Sequence, residues 1–324
     1  MKTKVAIIMG GYSDEFPISI NSGNVVYRML CKDKYEVCQV HILKEKWVYV
    51  SDEGKEFDVD KSDFSFETAN GKFRPDVVFN IIHGTPGEDG LMQAYFELLG
   101  ISQTSCEHYP SALTFNKRDT LSILKNYGIR CANAYYLNKG DAVNTDEIVK
   151  KVGLPCFVKP NKSGSSIGVS KVKDISDLQN AITFAFEQDD ELLIETCITG
   201  VEVSVGVLQL KNEIIVFPPT EIVSYNEFFD YEAKYLGKSD EITPARISQA
   251  LENKVQQITN RIYKLLNLKG ISRADYIIQD DEPYFIEINT NPGLSEESII
   301  PKQAQAYGMS LEQLFDSMIE EALR

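Results

Sequence analysis

No two of the six cysteines stand in a CxxC pair, and none has the spacing of a zinc ligand set. That leaves the thiols at 31, 38, 106, 131, 156 and 197, several of them in apolar strand-like runs, to be read as buried and reduced. Positive charge is also short: 33 Lys and Arg face 48 Asp and Glu, a formal net charge of −15. Nucleic acid and anionic membrane surfaces want a basic face, so neither is an expected partner. A small anionic substrate stays compatible, provided a few cations are concentrated at its site. The N-terminus has only five apolar residues, 5–9, before Gly10-Gly11. That run is too short for a signal peptide or a membrane span, so a cytoplasmic protein is expected. There is no internal repeat, no low-complexity tract, no Walker A loop and no G-x-G-x-x-G turn opening a helix.

What is present is the composition of a soluble globular protein, 43% apolar and 25% charged over 324 residues, enough for two or three domains. Residues 1–100 alternate strands (5–9, 36–43, 76–82) with helices (19–30, 91–99), the βαβ rhythm of an open, mainly parallel sheet. Ligands in such sheets collect at the carboxyl ends of the strands. Two loops occupy such ends, 10–19 and 83–90. A second domain is expected over 101–199, with a helix at 116–127, strands at 155–159, 169–172 and 191–195, and a helix at 178–186. A third covers 200–324, with a strand at 201–210, a helix at 251–266 and a last helix opening at Ser310 with Gln313 in a capping-box pattern. The polar, aromatic-rich stretch 224–247 has no clean periodicity and reads as a lid or Ω-loop.

The most informative stretch runs from Pro283 to Ser295. Glu287 and Asn289 interrupt an apolar strand two residues apart, so both side chains fall on one face. Residues 271–279 form a second strand, with turn material at 280–282. In a hairpin, Asp275 falls opposite Glu287 or Asn289, depending on register, with Arg273 next along. Three hard oxygen donors on rigid strands suit Mg²⁺ shared with substrate phosphates; the bland alternative is a wet edge hairpin. Gly164-Ser-Ser-Ile-Gly168, five residues after Lys159, is either a hairpin turn or a loop whose N–H groups and hydroxyls cradle phosphates. His83 is a strand-end core histidine or a site residue. Glu15 is a solvated loop acid or a clamp for a substrate amine. Glu195 and Glu202, taken alone, read as exposed.

In this order and spacing the motifs resemble those of the D-alanine–D-alanine ligases of the ATP-grasp superfamily, over essentially the whole chain. The resemblance rests on Gly10-Gly11 with Ser13, Glu15 and Ser19; on His83-Gly84 with Gly87-Glu-Asp-Gly90; and on Val158-Lys-Pro160 with Gly164-Ser-Ser-Ile-Gly168. It rests further on Leu193-Ile-Glu195, Asp230-Tyr-Glu-Ala-Lys-Tyr235, and Asn289-Thr-Asn-Pro-Gly293 with Ser298. It implies an N-terminal α/β domain followed by a two-subdomain ATP-grasp fold, ATP as co-substrate, two Mg²⁺ (or Mn²⁺) ions, and a homodimer. By motif, Lys117, Lys159, Ser165 and Ser166 would meet the phosphates, Glu195, Thr196 and Ile198 the adenine, and Glu202 the ribose. Asp275, Glu287 and Asn289 would hold the metals. Glu15 would fix the first D-alanine's ammonium and His83 would also bind substrate, with Ser165 and Tyr235 linking Glu15 to a lid whose Lys234 reaches the γ-phosphate. Arg273 and the Gly293 N–H would stabilise the oxyanion, and Ser298 would bind the second carboxylate. Phe16-Pro17-Ile18 and Thr85-Pro86 depart from the family's usual pattern at the rim of the first amino-acid site. The implied reaction is ATP-dependent formation of D-alanyl-D-alanine for peptidoglycan precursors. The rivals are a D-alanine–D-lactate ligase and a non-catalytic nucleotide sensor.

Overall fold

A computed structural model describes residues 2–164, 167–225 and 239–324. Strand β1 (Thr3–Gly10) is continuously apolar from Val5 through Met9, and those five residues are fully buried, as a central strand covered on both faces must be. Helix α1 (Phe16–Met29) leads to β2 (Tyr35–Ile42), parallel to β1. Strands β3 (Trp47–Val50) and β4 (Glu56–Asp58) continue the sheet antiparallel, and β5 (Phe66–Thr68) with β6 (Gly71–Phe73) forms a separate small hairpin. Strand β7 (Val77–Asn80) joins β1 in parallel on its other side, then α2 (Leu91–Leu99) and β8 (Ser102–Gln103) follow. The six-stranded order is β4-β3-β2-β1-β7-β8.

Several boundaries differ from expectation by two or three residues, two of them beside the strand-end loops. Helix α1 begins at Phe16 rather than near 19, because Pro17 sits in the first turn, where its missing N–H is no loss. Strand β7 stops at Asn80, whose side chain accepts from the Ile82 N–H and turns the chain. The ends of β1 and β7 are tied together by Ser19, whose hydroxyl accepts from Gly10 N–H at 2.8 Å and donates to Ile81 O at 2.8 Å. The two strand-end loops therefore lie side by side.

The middle of the chain supplies α3 (His108–Phe115), α4 (Lys117–Asn126), β9 (Ala134–Asn138), α5 (Thr145–Val152), β10 (Cys156–Pro160), β11 (Ser170–Val172), α6 (Ile175–Ala185) and β12 (Glu191–Thr196). Its four strands make an antiparallel sheet ordered β11-β10-β12-β9. Elements α3, β9 and α5 are short, and the sequence pattern did not announce them.

The remainder contributes β13 (Val201–Leu210), β14 (Glu213–Val216), β15 (Thr220–Ser224), β16 (Ser239–Ile242), α7 (Gln249–Leu265), β17 (Ile271–Gln279), β18 (Glu282–Asn289), α8 (Ile299–Tyr307) and α9 (Leu311–Ala322). The sheet order is β16-β15-β13-β17-β18, with β14 also on β13. Alternation along β13 sends Val203, Val205 and Val207 into the core under α7, and Leu208 into the core shared with α8 and α9. That second core also contains β1 and β7, and Phe315 of α9 meets Phe79 edge-on at 5.8 Å, so the first and last parts of the chain close on each other. Ser310 and Gln313 form the expected capping box. The stretch 224–247 is not a loop throughout: Ser224 ends β15, and 239–242 pairs back on it as β16. Residues 226–238 lie outside the described residues.

Candidate active site

The hairpin of β17 and β18 decides the geometry. Asp280 and Asp281 both have positive φ, 51° and 60°, as a two-residue type I′ turn requires, and Glu282 is already paired with Gln279. A regular ladder from that turn would set Asp275 opposite Ile286 and leave Glu287 on the other face. A register shift between Asp275 and Tyr276 gives β18 one extra residue, so Asp275 pairs with Glu287 and Arg273 with Asn289. Asp275 is 7% exposed and accepts four hydrogen bonds from three side chains. The Arg273 guanidinium grips it bidentately at 3.0 and 2.8 Å, Ser204 Oγ donates to Oδ1 at 2.6 Å, and Asn289 Nδ2 approaches Oδ2 at 3.4 Å.

Above this face lies a cleft whose other wall is the four-stranded sheet. It is lined by Lys117, Lys159, Glu195, Thr196, Ile198, Glu202, Asp275 and Glu287, with Ala132, Phe157, Val169, Ile277 and Ile286 as apolar surface. Eight residues singled out from the sequence thus converge from the two sheets, the start of α4 and the connection after β12. Polar groups at one part and apolar walls at another suit a ligand with a flat ring and charged oxygens. Lys117 Nζ donates to Ser163 O at 2.7 Å and stands 3.4 Å from Glu287. Lys159 Nζ lies 2.9 Å from Glu195 Oε2, and Glu195 is only 5% exposed, not the exposed acid its sequence neighbourhood suggested. Burial pulls the Lys159 pKa down, but Glu195, then Glu287 and Glu202, more than offset this and hold it above its ordinary value. The Thr196 hydroxyl turns away to donate to Val152 O at 2.7 Å.

A second group gathers where the N-terminal loops meet this cleft. Glu15 is the N-cap residue of α1, and its carboxylate fills the space beside Gly164 and Gly84: a Cβ on Gly164 would stand 2.7 Å from its Oε2. His83 is buried, with Nδ1 2.8 Å from Asn291 O; a carbonyl only accepts, so Nδ1 carries the proton. Its Nε2 has no hydrogen-bond partner among the described residues, and burial lowers its pKa, keeping the ring neutral. Asn291 Nδ2 donates to Ile82 O at 2.7 Å and Leu294 N–H to Ser22 Oγ at 3.3 Å, so the exit of β18 is stitched to the first sheet. Along that exit Gly293 lies against Ser298, the N-cap residue of α8: a Cβ on Gly293 would stand 2.9 Å from Ser298 Oγ. Glu88, which the sequence offered only as part of a motif, accepts from Gly84 N–H at 3.1 Å, and burial with Glu15 nearby pushes its carboxyl up to about 7. Nothing in the local pattern marked it, because the effect comes from residues far away in sequence. Ser165, Ser166, Lys234 and Tyr235 lie outside the described residues.

Family models for the D-alanine–D-alanine ligase N-terminus and C-terminus match residues 4–106 and 123–320. The chain belongs to the D-alanine–D-alanine ligase family. A curated member from Flavobacterium johnsoniae is 61% identical over 98% of this chain and 99% of its own length. One from Christiangramia forsetii is 56% identical over 100% and 99%. Among solved structures, the VanG D-Ala:D-Ser ligase of Enterococcus faecalis superposes with a TM-score of 0.88 at 31% identity, covering 99% of this chain and 100% of that one. The Bacillus anthracis D-alanine–D-alanine ligase complexed with ATP gives 0.79 at 28% identity, covering 99% and 97%. The fold is therefore the α/β architecture of this family, with its ATP-grasp part. No helix among the described residues is long and apolar enough to cross a membrane.

The divalent metal that the family's chemistry implies can be tested against the donors present. The described residues contain no group of three or more His, Cys, Asp and Glu side chains able to hold a metal. What they offer is two carboxylates directly opposite each other and one amide beside them. That set fits Mg²⁺, which takes one or two carboxylates and completes its octahedron with phosphate oxygens and water.

Proposed function

We propose that this protein is an ATP-dependent ligase that joins two D-alanines to D-alanyl-D-alanine through an acyl phosphate, releasing ADP and phosphate. The observation that carries this reading is the cleft in which Lys117 from the start of α4 and Lys159 from the four-stranded sheet face Asp275 and Glu287 of the other sheet. ATP fits with its ring against Phe157, Ile198 and Ile277, its ribose at Glu202 and its phosphates toward the lysines. Glu195 then serves the adenine end while holding Lys159 in place. Asp275, Glu287 and Asn289 would hold two Mg²⁺ (or Mn²⁺) ions, which neutralise phosphate charge when bound.

Glu15, at the cleft's edge, receives the ammonium of the first D-alanine and leaves its carboxylate free to attack the γ-phosphate, in line with the leaving ADP. Neutral His83 offers a lone pair at Nε2 on the same side, an acceptor for a substrate N–H. Arg273 and the Gly293 N–H stabilise the oxyanion formed when the second amine attacks the acyl phosphate, and Ser298 takes the second carboxylate. Ser165, Ser166, Lys234 and Tyr235 complete the phosphate loop and a lid within 224–247 that excludes water from the acyl phosphate. The units are 1–100 for amino-acid binding, and 101–199 with 200–324 for gripping ATP. The reading also makes the enzyme cytoplasmic, which its six free cysteines suit, and homodimeric.

The test is ADP and phosphate release with D-alanine alone and with D-alanine plus D-lactate. Turnover with D-alanine alone is expected. Turnover only on adding D-lactate, or nucleotide binding with no ADP formed under either condition, overturns the reading.

A further inference from the structure

Gln303 lies in α8, five residues after Ser298, and is fully buried. A buried primary amide is costly unless its donors and acceptor are met, and here they are. Its Oε1 accepts from Gly206 N–H at 2.9 Å, and its Nε2 donates to Ser204 O at 2.8 Å and to Thr220 Oγ1 at 3.0 Å. The side-chain amide thus spans Val205 as the peptide group of a neighbouring strand would, at the place where the pairing of β13 with β15 ends, at Ser204 and Thr220. The strand leaves room for it: a Cβ on Gly206 would stand 2.6 Å from Gln303 Oε1.

The two residues bracketed by this amide are the cross-strand partners of the reaction centre. Ser204 pairs with Asp275 and donates its hydroxyl to it, and Gly206 pairs with Arg273. Helix α8, in turn, is preceded directly by its N-cap residue, Ser298. We propose that Gln303 is a positioning residue: it pins the helix that presents Ser298 to the strand backing Arg273 and Asp275, and so sets the distance between the second amino acid's carboxylate and the carbonyl it must reach. This rests on Ser298 binding that carboxylate. A misplacement of about 1 Å at such a site costs on the order of 10²-fold in rate.

The test compares Gln303→Met, which keeps length and removes all three hydrogen bonds, with Ser298→Ala. Each is assayed for separate Michaelis constants of ATP, the first D-alanine and the second D-alanine, after circular dichroism and melting confirm folding. Expected for Gln303→Met is a rise of about tenfold or more in the second D-alanine constant, with the other two within about twofold. If Ser298→Ala raises that constant and folded Gln303→Met does not, or if Gln303→Met raises all three together, the positioning role is overturned. If Ser298→Ala leaves it unchanged, the assignment of Ser298 fails instead. Should Gln303→Met not fold, Gln303→Asn, whose amide is one methylene too short to span from Gly206 N–H to Ser204 O, carries the same comparison.

Discussion

Asp275 faces Glu287 across β17 and β18 because β18 carries one residue more than a regular ladder between that pair and the turn. The shift brings the two carboxylates onto one face, over the cleft that Lys117 and Lys159 line.

Glu287→Gln tests what that pairing is for. The amide keeps the volume and a neutral oxygen but not the charge a divalent ion needs, and the residue is only partly buried. Turnover should fall by at least about 10²-fold in an ADP-release assay, with Mn²⁺ binding weakened in a direct titration. The melting temperature should stay near wild type. Unfolding with activity retained per folded molecule would sink the metal role.

Arg273→Lys separates a fork from a point charge. Arg273 reaches both oxygens of Asp275 through Nε and Nη2, a geometry lysine does not reproduce. If the same guanidinium stabilises the oxyanion, kcat drops by about 10²–10³-fold. The Michaelis constant for ATP changes little. An unchanged kcat would remove Arg273 from the oxyanion site.

Glu88→Gln tests a pH effect on stability. The folded protein holds the Glu88 proton up to about 7, against an ordinary value near 4.5. Where the folded state binds a proton more tightly than the unfolded chain, stability falls as pH rises through that window. The cost is absent below the ordinary value and complete above about 7. The glutamine variant should match wild type at low pH and exceed it at pH above the window, by on the order of 1–3 kcal/mol. Urea unfolding across the range reads this; a gap that does not change with pH refutes it.

Tyr276→Phe probes the opposite face of the strand that holds Asp275. Tyr276 is fully buried and its hydroxyl meets Thr259 Oγ1 at 2.8 Å, while Thr259 keeps its own bond to Val255 O at 2.9 Å. Since no buried donor is orphaned, the change should cost about 1 kcal/mol of stability and leave kcat intact. A loss of activity without loss of stability would mean that the two faces are not independent.

The sequence alone determined the parts whose cause is local. Continuous apolar runs marked β1 and β7, period-2 spacing put Glu287 and Asn289 on one face, and Ser310 with Gln313 announced α9, because strand alternation and capping depend on neighbours a few residues apart. Short elements such as α5 and β16 escaped, since so few residues carry little periodicity. Tertiary structure alone decided the register of the hairpin, the burial of Glu195 against Lys159, the raised proton affinity of Glu88 and the place of Gln303 beside Ser204. Each arises from groups brought together across long stretches of chain, where pairing, desolvation and charge are properties of the packed arrangement rather than of any local pattern. Asp275 shows the division most plainly. Its face could be read from the sequence, while its partner was chosen by one extra residue in the facing strand.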